Sequence, residues 1–214
     1  AGHETAASPL AMRTFALVAA ATALLLAPAA SAYSESKAKA FVYLAGAAYC
    51  NATSLEAWDC GRGCSGPLSV SSVTVIGNTA KDLQAYVGRL SDGRRLVSFR
   101  GTRPSHLADW IDDIKSAFHT PWVGPGCDGC RVADGFYKSY LALAPGIKQA
   151  LNGLGSASVV VTGHSLGAAM AGLAIVDLHA SGFSVPGPHY TFGHPRDGDK
   201  GYASYFSNTF GTNT

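Results

Sequence analysis

Apolar and polar positions change period several times along the chain, and each change predicts an element. Ser34 to Cys50 is alanine-rich and places Phe41, Leu44, Ala45, Ala48 and Tyr49 on helical spacing, so an amphipathic helix is expected. Residues 51–68 are rich in glycine and cysteine and read as a loop; Val73 to Ile76 reads as a strand. Leu83 to Leu90 and Arg95 to Phe99 are strand-like runs joined by Ser91-Asp92-Gly93, a hairpin turn whose glycine suits a positive φ. Ser105 to Lys115 carries Leu107, Trp110, Ile111 and Ile114 on one face, which predicts a short amphipathic helix N-capped by Ser105. Phe136 to Leu151 has a helical pattern broken by Pro145-Gly146, so two pieces or a kink are expected. Val159 to Thr162 is a β-branched run typical of a buried strand, the alanine-rich segment after Gly167 is a helix closing near Gly182, and His189 to Phe192 is a last strand. Residues 195–214 are polar and glycine-rich around Tyr202, Tyr205 and Phe206. This alternation predicts an α/β fold with a mixed sheet, helices on both faces, and a site at the carboxyl ends of the strands.

Composition narrows the class. With 214 residues, 47% of them hydrophobic, the chain can bury one sizeable core. The net charge is +2 and no basic cluster exceeds the Arg94-Arg95 doublet, which argues against a nucleic-acid partner. Met12-Arg13, the apolar run Phe15–Ala27, Pro28 and Ala30-Ser31-Ala32 follow the order of a secretory signal peptide. Residues 12–32 are therefore read as cleaved, with Tyr33 the first mature residue. The apolar run is too short to span a bilayer, so the expectation is a secreted, extracellular protein with no transmembrane segment. Residues 1–11 precede a good start Met and read as an upstream extension foreign to the native protein.

In a secreted chain, five cysteines should mostly pair. Cys60 with Cys64, and Cys127 with Cys130, could each close a small loop. CDGC also fits a redox dithiol or a zinc half-site, but it lies in a glycine- and proline-rich loop with no second ligand pair at zinc spacing. Structural disulfides are the preferred reading, with no metal and no cofactor. Cys50 is left over. Asn51-Ala52-Thr53 is a glycosylation sequon.

The chemistry centres on VVVTGHSLGAAMAG, Val159 to Gly172. With 25 glycines in the chain, the bare pattern G-x-S-x-G says little. Its position between a strand and a helix says more. A nucleophile elbow turns so sharply at its serine that residues two away must be nearly without side chains, hence Gly163 and Gly167. The helix that follows points its N-terminus at Ser165, where negative charge develops during acyl transfer.

Several motifs agree with this reading in order and spacing. SFRGT (Ser98–Thr102), DWIDD (Asp109–Asp113), CDGC followed by VADGF (Val132–Phe136), VTGHSLGAAMA (Val161–Ala171) and YTFGHPRDGD (Tyr190–Asp199) resemble the fungal-type class 3 lipases, secreted triacylglycerol lipases and related feruloyl esterases. The resemblance runs from about Ser34 onward. It implies an α/β-hydrolase fold with a mostly parallel central sheet and ester hydrolysis through an acyl-enzyme on Ser165. By the same resemblance, the Leu166 backbone N–H and Thr102 are the oxyanion donors. Ser105–Lys115, with Trp110 and Ile111, is a lid meeting a lipid–water interface, and the substrate is a lipid or other apolar ester. Cys60–Cys64 and Cys127–Cys130 align with short-loop disulfides, and Cys50 with a cysteine whose partner lies near the family's C-terminus. Three positions depart from the family's pattern: Ala133 for His, His194 for a small or polar residue, and Asp199 for Asn. His194 and Pro195 are expected at the pocket rim.

The order Ser, acid, His of α/β hydrolases is not met after Ser165. Asp177 and His179 lie roughly 18–21 Å along the elbow helix. His189 begins a strand at the wrong end, and Asp197 and Asp199 follow His194 in the wrong order. The absent acid, the absent base and the unpaired Cys50 share one explanation. Residues 33–214 are then expected to be part of a longer hydrolase domain whose last strands lie beyond Thr214. The alternatives are a feruloyl esterase, or a non-catalytic hydrolase-like lipid-binding module.

Overall fold

The computed structural model describes Gly2 and residues 33–103, 120–124 and 126–211. The expected signal peptide and the expected lid helix with Trp110 and Ile111 lie outside them.

α1 (Glu35–Ala47) starts where the Ser34 hydroxyl accepts from the Lys37 amide, and it buries Phe41, Leu44 and Ala45. The loop expected over 51–68 is partly helical. Asn51 caps α2 (Ala52–Glu56) by accepting from the Ser54 amide at 2.9 Å, a local bond that outweighs the glycine-rich surroundings. A 3-10 turn covers Gly61–Cys64. β1 (Val70–Asn78) is longer than expected and carries an irregularity between Ser71 and Thr74. β2 (Leu83–Leu90) and β3 (Arg95–Phe99) form the hairpin at the expected residues. β4 (Thr120–Pro121) and β5 (Arg131–Val132) make a separate two-stranded ladder.

α3 (Asp134–Gly153) is one helix, not two pieces, with Pro145 inside it. Proline removes the bond to the carbonyl four residues back, that of Leu141. Leu141 is 47% exposed, so water can satisfy that carbonyl and the helix continues. The C-terminal carbonyls of α3 and the loop after it meet buried Arg95, whose guanidinium donates to Leu151, Gly155 and Ala157 at 3.0, 2.6 and 2.6 Å. β6 (Val159–His164) leads into α4 (Leu166–Ala180), then β7 (Tyr190–Phe192). The polar, glycine-rich tail, to which the sequence reading gave no element, holds α5 (Lys200–Phe210): the Asp199 carboxylate accepts from the Tyr202 amide at 2.8 Å, and Tyr202 is buried.

The main sheet runs β1-β2-β3-β6-β7. The first two pairings are antiparallel, and β3–β6 and β6–β7 are parallel. Side-chain alternation sends Val97, Phe99, Val159 and Val161 to the face covered by α3 and α4. Leu96, Val160, Tyr86 and Tyr190 face α1. The sheet is thus covered on both sides, and the buried Tyr86 hydroxyl donates to the Leu44 carbonyl at 2.7 Å.

His189 precedes β7 and its Nδ1 accepts from the Val161 amide of β6 at 3.1 Å. Accepting there requires a neutral ring. Burial first, then the charge of Arg94, with a backbone contact at Val185 opposing, lowers its pKa from 6.5 to about 4. The unfolded chain therefore binds a proton that the folded chain refuses between those values. The associated stability is complete above about pH 6.5 and is lost as pH falls toward 4, by roughly 3 kcal/mol. Urea unfolding between pH 7 and 4 should show this slope, and His189→Asn, which keeps an acceptor in place of Nδ1, should remove about one proton from it.

Candidate active site

Ser165 stands between β6 and α4 with φ 58° and ψ −126°, a region non-glycine residues enter only when the surroundings force it. Its amide donates to the Phe192 carbonyl of β7 and its carbonyl accepts from Ala168, both at 2.9 Å. Two close approaches explain its neighbours. A β-carbon on Gly163 would collide with the Gly167 carbonyl and lie 2.9 Å from the Ala168 nitrogen. One on Gly167 would collide with the Phe99 carbonyl and lie 2.9 Å from the Arg100 carbonyl carbon.

The parallel register explains which residues join the serine. Phe99 pairs with Gly163, so β3 and β6 leave the sheet side by side. A β-carbon on Gly101 would fall 3.2 Å from the Ser165 Cβ. Thr102 follows, its Oγ1 buried and without a hydrogen-bond partner. Leaving a buried donor unpaired costs about 1–3 kcal/mol. Leu166, the first residue of α4, carries one of the amides that a helix leaves unpaired at its start. Unpaired donors beside a hydroxyl held at a tight bend are suited to a developing oxyanion.

Two neighbouring interactions escaped the residue pattern. The Tyr49 hydroxyl lies 2.9 Å from His164 Nδ1; burial raises the Tyr49 pKa against the opposing Gly101 backbone and Arg100, so the phenol keeps its proton. Asp82, in the left-handed region at φ 48°, sets Oδ1 2.8 Å from Arg100 Nη2 and Oδ2 3.1 Å from Arg103 Nε. Burial alone would raise the Asp82 pKa, but the bond to Arg100 and the two guanidinium charges outweigh it and hold the carboxyl below its usual range.

His194 lies elsewhere. Its Nδ1 is 3.1 Å from Thr191 Oγ1 and its Nε2 is 3.0 Å from Asp197 Oδ2. The group sits against Gly172, about two helical turns along α4 from Ser165. It faces a cavity of about 1010 Å³ between α4, α5 and the segment before β7, also lined by Ile175, Tyr202 and Phe206 but not by Ser165. Pro195 is half-buried beside it. Asp177 is engaged by Tyr140 at 2.5 Å and Lys148 at 2.7 Å, and His179 packs on Phe210. Among the described residues, no histidine or carboxylate hydrogen-bonds the Ser165 hydroxyl, and no three His, Cys, Asp or Glu side chains gather as a metal site.

Cys60 is bonded to Cys64 and Cys127 to Cys130, with Cα separations of 5.2 and 5.6 Å. Cys50 is free and half-buried, its thiol pKa raised by that burial. Asn51 is exposed, with Oδ1 engaged in the α2 cap.

A mixed sheet covered on both faces, with a serine at a strand–helix bend, is the α/β-hydrolase arrangement. Residues 96–214 match the class 3 lipases as a family, and the chain belongs to that family. It is 33% identical over 182 residues to secreted mono- and diacylglycerol lipase 1 of Fusarium solani, covering 78% of this chain and 51% of the relative. It is 30% identical over 160 residues to a lipase of Rhizomucor miehei, covering 71% and 42%. The chain thus spans about half the length of these relatives or less. A solved triacylglycerol lipase, described as having a serine protease triad as its catalytic centre, superposes with a TM-score of 0.64 at 26% identity, over 82% of this chain and 67% of that one. No helix among the described residues is long and apolar enough to cross a membrane.

Gly163→Ala should destabilise the protein by about 3 kcal/mol or more, because only backbone can give way. Gly46→Ala, in α1 with open space around it, should be neutral or stabilise by up to about 1 kcal/mol. Urea midpoints of the two variants check the contrast.

Proposed function

We propose that the protein is a secreted serine carboxylic-ester hydrolase, a lipase that cleaves acylglycerols through an acyl-enzyme on Ser165. The observation that carries this reading is the Ser165 bend set beside the buried, unpaired Thr102 hydroxyl. The Ser165 oxygen attacks the ester carbonyl and passes its proton to a general base. The carbonyl oxygen takes up the negative charge and meets the Leu166 amide and Thr102; one such donor is worth about 3 kcal/mol in the transition state. Collapse expels the alcohol with a proton, and water then releases the fatty acid. Likeness to a secreted mono- and diacylglycerol lipase supports both the acylglycerol substrate and the extracellular setting. In this reading Trp110 and Ile111 belong to a lid that opens at a lipid–water interface.

The protein expressed from its full reading frame should take up one alkyl fluorophosphonate, mapped to Ser165 by peptide mass spectrometry. Ser165→Ala should abolish the label and lower tributyrin hydrolysis at least about a thousandfold. Faster turnover of methyl ferulate than of tributyrin would make it a feruloyl esterase. Binding of a long-chain ester with neither label nor turnover would make it a non-catalytic module.

A further inference from the structure

Past Phe99 the chain leaves the sheet ladder, yet the next four residues must hold the oxyanion donor still. One backbone bond helps, from the Arg100 amide to the Gln84 carbonyl at 2.9 Å. The remaining restraint comes from the turn before β2. There Asn78 accepts from the Lys81 amide at 3.2 Å and fixes the 3-10 turn Thr79–Lys81. Asp82 follows in a left-handed conformation that aspartate and asparagine tolerate better than most residues. Its two carboxylate oxygens take separate partners, Arg100 and Arg103, and Arg100 also donates to the Asp82 main-chain carbonyl.

We propose that Asp82 is a positioning residue for the oxyanion donor: its carboxylate clasps Arg100 and Arg103, the two residues bracketing Gly101-Thr102, and thereby fixes where the Thr102 hydroxyl sits. Neutralising Arg100 needs only one of the oxygens. Arg100 is 6% exposed and requires a counter-charge. Arg103 is 57% exposed and does not; its ion pair is worth little as stability. What the second contact adds is geometry: a strap from one carboxylate to both ends of a two-residue span. The span it closes holds an unpaired buried hydroxyl at one end and packs on the Ser165 Cβ at the other. Asp82 and Arg100 lie at the open end of the same β2–β3 hairpin, but Asp82 carries no motif of its own.

The inference rests on the reading of Ser165 and Thr102 given above, and a double-mutant cycle separates the two. The rate of fluorophosphonate labelling is measured for the unaltered protein, Asp82→Asn, Thr102→Ala and the double variant, with kcat and KM on a soluble short-chain ester and the unfolding midpoint of each. Asp82→Asn keeps the left-handed backbone but loses the charge. It should slow labelling and kcat about tenfold, a fraction of what losing a whole donor does, with KM within twofold. In the Thr102→Ala background the same change should matter less than twofold, because nothing is left to position. Arg103→Gln, which opens only the exposed half of the strap, should slow labelling several-fold even if Asp82→Asn folds poorly. Equal losses in both backgrounds, or an Arg103→Gln protein labelled at the normal rate, would overturn the inference alone. An unaltered protein that takes no label at Ser165 would overturn the proposed function and this inference with it.

Discussion

The candidate site depends on one crowded contact: the first turn of α4 lies against the end of β3, with no room for a side chain between them. Gly167 touches the Phe99 carbonyl, and Gly163 touches Gly167. This contact fixes the distance between two motifs that are far apart in sequence. It brings the residue after Gly101 to the serine, and it forces Ser165 into a backbone conformation that a looser bend would relax. The parallel register of β3 and β6 sets the strands' relative height, so sheet and bend act as one rigid part. A serine whose backbone is bonded to β7 and whose flanking glycines are wedged in cannot drift from its neighbours. Interior packing transmits such constraints because it has almost no slack.

Around that rigid part, charge is handled locally. Arg95 is buried and faces three backbone carbonyls at the end of α3, so it acts as a helix terminator. Arg100 is buried and shares the Asp82 carboxylate with exposed Arg103. Asp177, inside the α3–α4 contact, collects a phenol and an ammonium, while desolvation and that carboxylate together push the Tyr140 pKa upward. Each is a charged group held by several hydrogen-bond partners, and each pins two elements together. The group formed by Thr191, His194 and Asp197 differs, being partly exposed and set on a cavity rather than at the serine.

Much of this was legible in the residues alone. The β2–β3 hairpin, the strand into Ser165 and the helix after it are strongly periodic segments with glycine at their ends, where local preference and tertiary packing agree. Two elements depart from the reading: Asn51 turns a cysteine-rich loop into a helical turn, and exposure of Leu141 lets α3 pass through Pro145; α5, started by Asp199, lies where the sequence pattern assigned no element. At the candidate site, G-x-S-x-G in its strand–helix setting pointed to Ser165, and the family resemblance pointed to Thr102. The Tyr49–His164 bond was not legible, because sheet topology and no local pattern brings the two together; the Asp82 strap sits at the open end of the expected β2–β3 hairpin, but no motif marked a carboxylate there shared by two arginines. His194 could be placed near the end of β7 from sequence, but its pairing with Asp197 beside Gly172 depends on how the loop folds back over α4.

Eleven of the fifteen residues of α4 are buried, from Gly167 to Leu178, so the helix runs through the interior like an axle. Water and mobile ions therefore have little access to its length. A surface helix has its end charges screened by salt within about 10 Å at 0.1 M ionic strength. The aligned peptide groups of α4 lie in a medium of low polarisability, where fields reach further. The attraction this helix exerts on an anion at its N-terminus should thus be largely indifferent to brine.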